Sequence, residues 1–152
     1  MKSNKQKRIL AVASAGGHWV QLLRLRPAFE AFNVEYISTL DYDESELNGK
    51  LHIVTDANIS EKMKAIIMFF QVFWVLIKAR PNFIITTGAL PGLATILLGK
   101  LFFIKTIWVD SIANSEQLSL SGKAAKYFAT VRLTQWPGLS HTDGPAYWGN
   151  VL

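Results

Sequence analysis

Two short glycine turns are the parts of this sequence whose residue types and spacing could do chemistry. The first, Ser14-Ala15-Gly16-Gly17-His18, follows an apolar run at residues 8–13 and precedes a stretch of leucines with helical spacing. A strand, a small-residue loop and a helix start place backbone N–H groups and a helix dipole beside an anion. Because Gly16 and Gly17 lack a Cβ, a ligand can approach the backbone closely. The turn therefore predicts an anion site, with His18 in the first helical turn.

The second turn, Gly88-Ala89-Leu90-Pro91-Gly92, repeats this arrangement. It follows a buried-looking strand at residues 83–87, and Pro91 suits the first position of the helix after it. A further strand at residues 104–109 ends in Asp110-Ser111. Alternating strands and helices predict an α/β fold, a Rossmann-like parallel sheet with helices on both faces. Ligands in such folds gather beyond the carboxyl ends of the strands, so both turns and Asp110-Ser111 should share one edge.

The remaining elements that must position these turns can be placed from the same patterns. Pro27 should kink or end the first helix, and Ser60 is a plausible N-cap for a later helix. Residues 40–50 are acidic and polar and predict an exposed loop. Further strands are expected at residues 34–38, 51–54 and 131–134, and a short helix from Ser121 to Phe128. We expect residues 1–152 to form a single domain.

One predicted helix is apolar nearly all round. Residues 65–77 are interrupted only by Gln71, and lysines and an arginine flank the stretch on both sides. A helix of this kind either lies in a lipid headgroup layer or is buried in the core. We favour membrane contact because a small domain seldom encloses one helix completely. The candidate contact residues are Phe69, Phe70, Phe73 and Trp74.

Composition favours a membrane surface over nucleic acid as the partner. The chain of 152 residues is half apolar and carries a formal net charge of +5, which favours anionic partners. Its basic residues are scattered, and no nucleic-acid-binding motif is recognisable. There is no cysteine, which excludes disulfides and thiolate metal sites and is compatible with the cytoplasm. We expect no metal, no cofactor and no ordinary membrane span.

The C-terminal tail, residues 139–152, is rich in glycine, proline and aromatic residues and has no periodicity. It ends in Tyr147-Trp148-Gly149-Asn150-Val151-Leu152, and no segment follows that would bury it. Such a tail either forms a docking surface or folds back on its own sheet. The pattern does not separate these alternatives.

Four blocks of residues, in order along the chain, resemble the Alg14 family and its bacterial relatives of the PssD type in exopolysaccharide synthesis. The blocks begin with Ser14-Ala15-Gly16-Gly17-His18, continued by Gln21-Leu22-Leu23-Arg24-Leu25, and Thr86-Thr87-Gly88 to Pro91. The third block runs from Trp108 to Ala113 and is followed by its second part, Leu118 to Lys123, and the fourth block is Gln135-Trp136-Pro137. The match is also like the N-terminal half of MurG-type GT-B glycosyltransferases.

The resemblance implies a split enzyme. In such families this half binds the membrane and a polyprenyl-diphosphate-linked acceptor, and a separate Alg13- or PssE-like subunit binds the nucleotide-sugar. Together they transfer N-acetylglucosamine or a related sugar in polysaccharide biosynthesis. The implied fold is a GT-B N-terminal-type domain. The resemblance also implies that the protein is attached peripherally to the cytoplasmic face of the cell membrane.

The resemblance also implies site residues. The acceptor phosphates would lie against Ser14, Gly16, Gly17, His18, Gly88, Ala89 and Ser111. His18 could assist deprotonation of the acceptor hydroxyl; the alternative is a polar residue satisfied by backbone. Asp110 could act in the reaction, as a general base or by positioning a sugar hydroxyl, or it could cap the following segment. Many family members have Glu here and Arg four residues later, where this chain has Asp110 and Asn114.

Two other functions are compatible with the turns alone. A non-catalytic Rossmann-like module that binds a nucleotide or another phosphate ligand would use the same loop geometry. A small hydrolase using Ser14 or Ser111 with His18 is disfavoured because the G-x-S-x-G elbow is absent.

Overall fold

The computed structural model describes residues 6–151, and the strands in that range form one seven-stranded parallel sheet. The strand order is β3-β2-β1-β4-β5-β6-β7, and every neighbouring pair is parallel. The strands are β1 (Arg8–Val12), β2 (Asn33–Ser38), β3 (Lys50–Ile53), β4 (Phe83–Thr86), β5 (Lys105–Val109), β6 (Val131–Thr134) and β7 (Ala146–Tyr147). All but the last were expected.

Helices connect the first six strands in succession, as parallel pairing requires, and a 3-10 turn at Pro137–Leu139 lies between β6 and β7. They are α1 (Gly17–Arg24), α2 (Glu44–Leu47), α3 (Lys62–Ala79), α4 (Ala89–Leu101) and α5 (Leu120–Ala124). Pro27 lies in a 3-10 turn at Arg26–Phe29 directly after α1, so the first helix ends where the proline predicts. Another 3-10 turn, Ala125–Tyr127, extends α5.

The strand order contains one switch point, between β1 and β4. The chain winds outward from β1 to β3, returns to pair β4 with the free side of β1, and then winds outward in the opposite direction. Val12 near the end of β1 lies opposite Thr86 at the end of β4. The loops that leave these two strands therefore start side by side, which is where open α/β sheets bind their ligands.

Both faces of the sheet are covered near the switch point, which explains the continuous apolar runs of the central strands. Leu10 and Val12 point to the face covered by α3 and α4. Ile9 and Ala11 point to the opposite face, where Leu22 of α1 covers them. All five residues are buried.

The prediction of an open loop at residues 40–50 is wrong in part, because the segment contains α2. Asp43 caps this helix by accepting a hydrogen bond from the backbone of Ser45 at 2.9 Å. Leu47 is buried against the sheet, and the Glu44 carboxylate accepts a hydrogen bond from Leu51 N at 2.8 Å. One buried leucine and these caps are enough to order a segment whose composition is polar.

The starts of α3 and α4 also differ from the sequence prediction. Ser60 does not cap α3, because its hydroxyl donates to Asn58, whose side chain also accepts from Glu61 N at 3.2 Å. Pro91 is the third residue of α4, not the first, since Gly88 is the N-cap. A proline is tolerated there because the first turn of a helix has no internal acceptors for its N–H groups.

Candidate functional site

The two glycine turns lie together at the switch point, as the sequence predicts. Gly16 has φ +77° and Gly88 has φ +127°, values that side chains disfavour. Each is the N-cap of its helix, α1 or α4, and neither helix has a side-chain cap or an acidic residue in its first turn. A Cβ at Gly16 or Gly17 would meet nothing within 4 Å. The start of α1 therefore presents N–H groups to open space, while Gly88 at the start of α4 faces the ring of His18.

His18 joins the two turns. Its Nδ1 lies 2.8 Å from the carbonyl oxygen of Thr87, and the Thr87 hydroxyl donates to the carbonyl of His18 at 2.6 Å. A carbonyl oxygen only accepts, so Nδ1 carries the proton and Nε2 holds the lone pair of the neutral ring. Among residues 6–151, Nε2 has no hydrogen-bond partner. The contact fixes both the position and the tautomer of the ring.

Gly88 makes room for this ring. A Cβ at Gly88 would lie 2.8 Å from Cε1 of His18, closer than two carbon atoms can approach. Ala89, next along the chain, also has a positive φ of 65°, which is uncommon for a residue with a Cβ. We call the group formed by Gly16, Gly17, His18, Gly88 and Ala89 the glycine cradle.

The two serines of the predicted site differ in burial and in hydrogen bonding. Ser14 is half-buried beside the cradle, and its hydroxyl makes only a long contact of 3.5 Å with the carbonyl of Ala15. Ser111 is buried, and its hydroxyl accepts from Gln21 Nε2 at 3.1 Å and from Ala113 N at 3.3 Å. Ser111 is thus turned into the interior, and we leave it out of the cradle.

Asp110 is 2% exposed, and its carboxylate is occupied within the protein. Oδ1 accepts from Ser119 Oγ at 2.6 Å and from Trp108 Nε1 at 3.1 Å. Oδ2 accepts from Ser119 N at 3.1 Å and from Asn114 Nδ2 at 3.3 Å. Ser119 in turn caps α5 by accepting from Gly122 N at 2.8 Å. Of the two expected roles, the geometry favours capping of the following segment over general base.

Gln21, to which the sequence analysis assigns no role, is a central residue of the site region. Its side-chain oxygen accepts from Ile112 N at 3.1 Å and from Gln135 Nε2 at 2.7 Å, while its amide nitrogen donates to Ser111. Gln21 is 6% exposed. A buried glutamine on α1 thus holds the segment that follows β5. The only sequence signal was its place in a block that resembles the Alg14 family.

Gln135 continues this network to the C-terminal tail. Its amide nitrogen also donates to the carbonyl of Asp110 at 2.9 Å, and its oxygen accepts from Val151 N at 3.0 Å. Arg24 of α1 donates to the carbonyl of Val151 at 2.7 Å. With β7 paired to β6, the tail folds back on its own sheet. Trp148 nevertheless remains 70% exposed.

The apolar helix α3 has one buried side and one exposed side. Phe69 and Phe73 pack against the core beneath the helix, while Phe70 and Trp74 are 64% and 58% exposed. Six large apolar side chains form what we call the outer α3 face: Met63, Ile66, Ile67, Phe70, Trp74 and Ile77. Lys78 lies over the Trp74 ring at 5.0 Å from its centroid.

Residues 6–151 contain neither a membrane-spanning helix nor a cluster of metal-ligating side chains. No helix in this range combines the length and the hydropathy needed to cross a membrane. No group of three or more acidic or histidine side chains in this range could hold a metal ion.

Solved structures with this architecture define the fold. MurG from Acinetobacter baumannii superimposes with a TM-score of 0.75 at 13% identity, over 93% of this chain and 45% of MurG. A UDP-GlcNAc 2-epimerase from Methanocaldococcus jannaschii gives a TM-score of 0.62 at 13% identity, over 84% of this chain and 39% of the epimerase. The chain therefore has the predicted GT-B N-terminal type of α/β fold and spans less than half of these proteins.

Sequence comparison then gives the family. A model for "Oligosaccharide biosynthesis protein Alg14 like" matches residues 49–151, and the chain belongs to this family. The mouse protein "UDP-N-acetylglucosamine transferase subunit ALG14" is 26% identical over 182 residues, covering 95% of this chain and 83% of the mouse protein. The predicted resemblance is confirmed, although the family match begins after the first glycine turn.

The role of Asp110 can be tested through stability. We expect Asp110→Ala to lower the free energy of unfolding by roughly 1–3 kcal/mol, because buried donors on Trp108 and Ser119 lose their acceptor. Chemical denaturation followed by circular dichroism measures the change. The exposed Asp143 is the matched control, and Asp143→Ala should stay within about 0.5 kcal/mol of the parent. Unchanged stability of Asp110→Ala combined with lost transferase activity would restore the catalytic role.

Proposed function

We propose that this protein is the acceptor-binding subunit of a two-component glycosyltransferase. The enzyme would move N-acetylglucosamine or a related sugar from a nucleotide-sugar to a polyprenyl-diphosphate-linked acceptor in polysaccharide biosynthesis. The observation that carries the proposal is membership of the Alg14-like family, whose mouse member is named as a UDP-N-acetylglucosamine transferase subunit. The partner would be a donor-binding chain, similar to Alg13 or PssE.

The glycine cradle supports an acceptor with a diphosphate. Each helix start contributes a partial positive charge and N–H groups with no internal acceptor. Neither start is neutralised by an acidic residue in its first turn. A diphosphate carries two anionic groups, and two helix starts side by side suit them better than one. Ser14 at the edge of the cradle could add a hydroxyl donor.

His18 is the proposed general base. The oxygen of an acceptor hydroxyl would attack the anomeric carbon of the nucleotide-sugar, and the bond from that carbon to the nucleotide diphosphate would break. The hydroxyl proton would pass to Nε2 of His18, whose Nδ1 proton is already held by Thr87. The resulting imidazolium is stabilised because Nδ1–H faces a carbonyl oxygen.

The outer α3 face supports peripheral attachment to a membrane, on the cytoplasmic side. Large exposed apolar side chains along one face, with Lys62 and Lys64 at one end and Lys78 and Arg80 at the other, suit a helix lying in the headgroup layer. Lys78 above Trp74 places a cation at the level where anionic headgroups would meet it. This attachment would bring the cradle to an acceptor embedded in the bilayer.

Reconstitution tests the proposed function. We expect the purified chain alone to transfer no sugar, and addition of a donor-binding chain of GT-B C-terminal type to give transfer. Incorporation of radiolabelled N-acetylglucosamine into a polyprenyl-diphosphate-linked acceptor measures it. Robust turnover by the isolated chain contradicts the division of labour. Saturable, lipid-independent nucleotide binding by the isolated chain would support a phosphate-binding module instead.

The role of His18 is tested in the active pair. His18→Ala should lower kcat by about 10²-fold or more, because proton transfer by a positioned base contributes on this scale. His141→Ala is the matched control, since His141 is exposed and has no proposed role. Circular dichroism confirms that both variants fold. Equal activity of the two variants would remove His18 from the reaction.

Membrane attachment is tested with vesicles containing phosphatidylglycerol. The double variant Phe70→Ser, Trp74→Ser should weaken partitioning at least about tenfold, because each aromatic side chain contributes roughly 1.5–3 kcal/mol when buried. Co-sedimentation measures the partition coefficient. Trp148→Ser, an equally exposed tryptophan in the tail, should leave it unchanged. If the double variant binds as the parent does, the outer α3 face is not the contact.

A further inference from the structure

An apolar groove runs between α3 and α4 beside the glycine cradle. Its volume is about 420 Å³, and every residue that lines it is apolar. Ala65 and Phe69 form one wall, Leu90, Leu93 and Leu97 form the other, and Phe128 closes one side. We call it the α3–α4 groove.

The groove begins at Leu90, directly after the cradle residues on α4. Leu90 is the second residue of α4, and Gly88 and Ala89, which belong to the cradle, directly precede it. In a parallel sheet, helices that follow strands begin at the carboxyl edge, so α3 and α4 both start at the rim where the cradle lies. The anion site proposed at the cradle thus adjoins the apolar groove at the start of α4.

We propose that the α3–α4 groove holds the part of the acceptor's polyprenyl chain nearest the diphosphate. This inference rests on the proposed function and adds to it the binding site of the acceptor's lipid chain. A ligand that satisfies both regions at once must have an anionic head joined directly to an apolar chain. A polyprenyl diphosphate has this construction, and its branched hydrocarbon units need no hydrogen-bond partner.

Other occupants fit the groove poorly. A peptide would bring backbone N–H and C=O groups into a wholly apolar cleft, where their desolvation is not repaid by hydrogen bonds. A nucleotide would bury a polar base and ribose there at a similar cost. The exposed Lys62, which begins α3 at the same rim, adds a cation that favours an anionic lipid head.

Filling the groove tests the inference in the reconstituted pair. Ala65→Trp should place an indole in the groove and raise KM for a polyprenyl-linked acceptor by about tenfold through lost apolar burial. KM for a soluble acceptor whose diphosphate carries a methyl group in place of the lipid should not change, because it has no chain to enter the groove. Ala31→Trp is the matched control; Ala31 is exposed and lies in the turn before β2, at the opposite edge of the sheet.

A second variant and a labelling experiment guard against misfolding of Ala65→Trp. Leu93→Gln makes the groove polar without filling it and should raise the same KM. A polyprenyl diphosphate with a photoreactive group in the isoprene unit nearest the diphosphate should label peptides from residues 65–70 and 90–97. Labelling confined to other residues would overturn the inference.

The outcomes separate this inference from the proposed function. If the parent pair transfers sugar but both groove variants keep the parent KM for the long-chain acceptor, the groove assignment is wrong and the function stands. If the parent pair transfers to neither acceptor, the proposed function is wrong, and labelling of the groove still reports lipid binding.

Discussion

The parallel pairing of β1 with β4 is the interaction on which the rest of this structure depends. It brings together two loops that are about 70 residues apart in the chain, and the His18–Thr87 hydrogen bonds then join them at 2.8 and 2.6 Å. Two helix starts with the same partial charge are held side by side, an arrangement that an anion would stabilise. The positive φ of Gly16 and Gly88 is the local conformational requirement for it.

A second constraint is the satisfaction of buried polar groups beside the cradle. Asp110, Gln21 and Gln135 are each at most 6% exposed, and each side chain makes at least two hydrogen bonds. Networks of this kind fix a unique arrangement because any displacement leaves a donor or acceptor unpaired. Here they tie α1, the segment after β5 and the C-terminal tail into one rigid support for the rim.

Helix α3 has two different sides. Its inner side, with Met68 and Val72, is buried in the core, while Phe70 and Trp74 face outward. Packing against the sheet explains the apolar residues on the inner side of α3 but not those that face outward. A bilayer surface for the outer α3 face and a polyprenyl chain for the groove would both remove apolar area from water, which is the dominant favourable term in association.

The sequence alone determined the α/β class, six of the seven described strands, the turns at Gly16 and Gly88, and the family. Periodicity and glycine placement are local signals, and the elements of this fold follow from them. Tertiary structure decided what local patterns do not encode: the capping role of Asp110, the linking roles of Gln21 and Gln135, the fold-back of the tail through β7, and which aromatic residues of α3 face outward. Each depends on a partner distant in sequence, and a side chain's hydrogen bonds and burial are known only once the packed sheet brings that partner within reach.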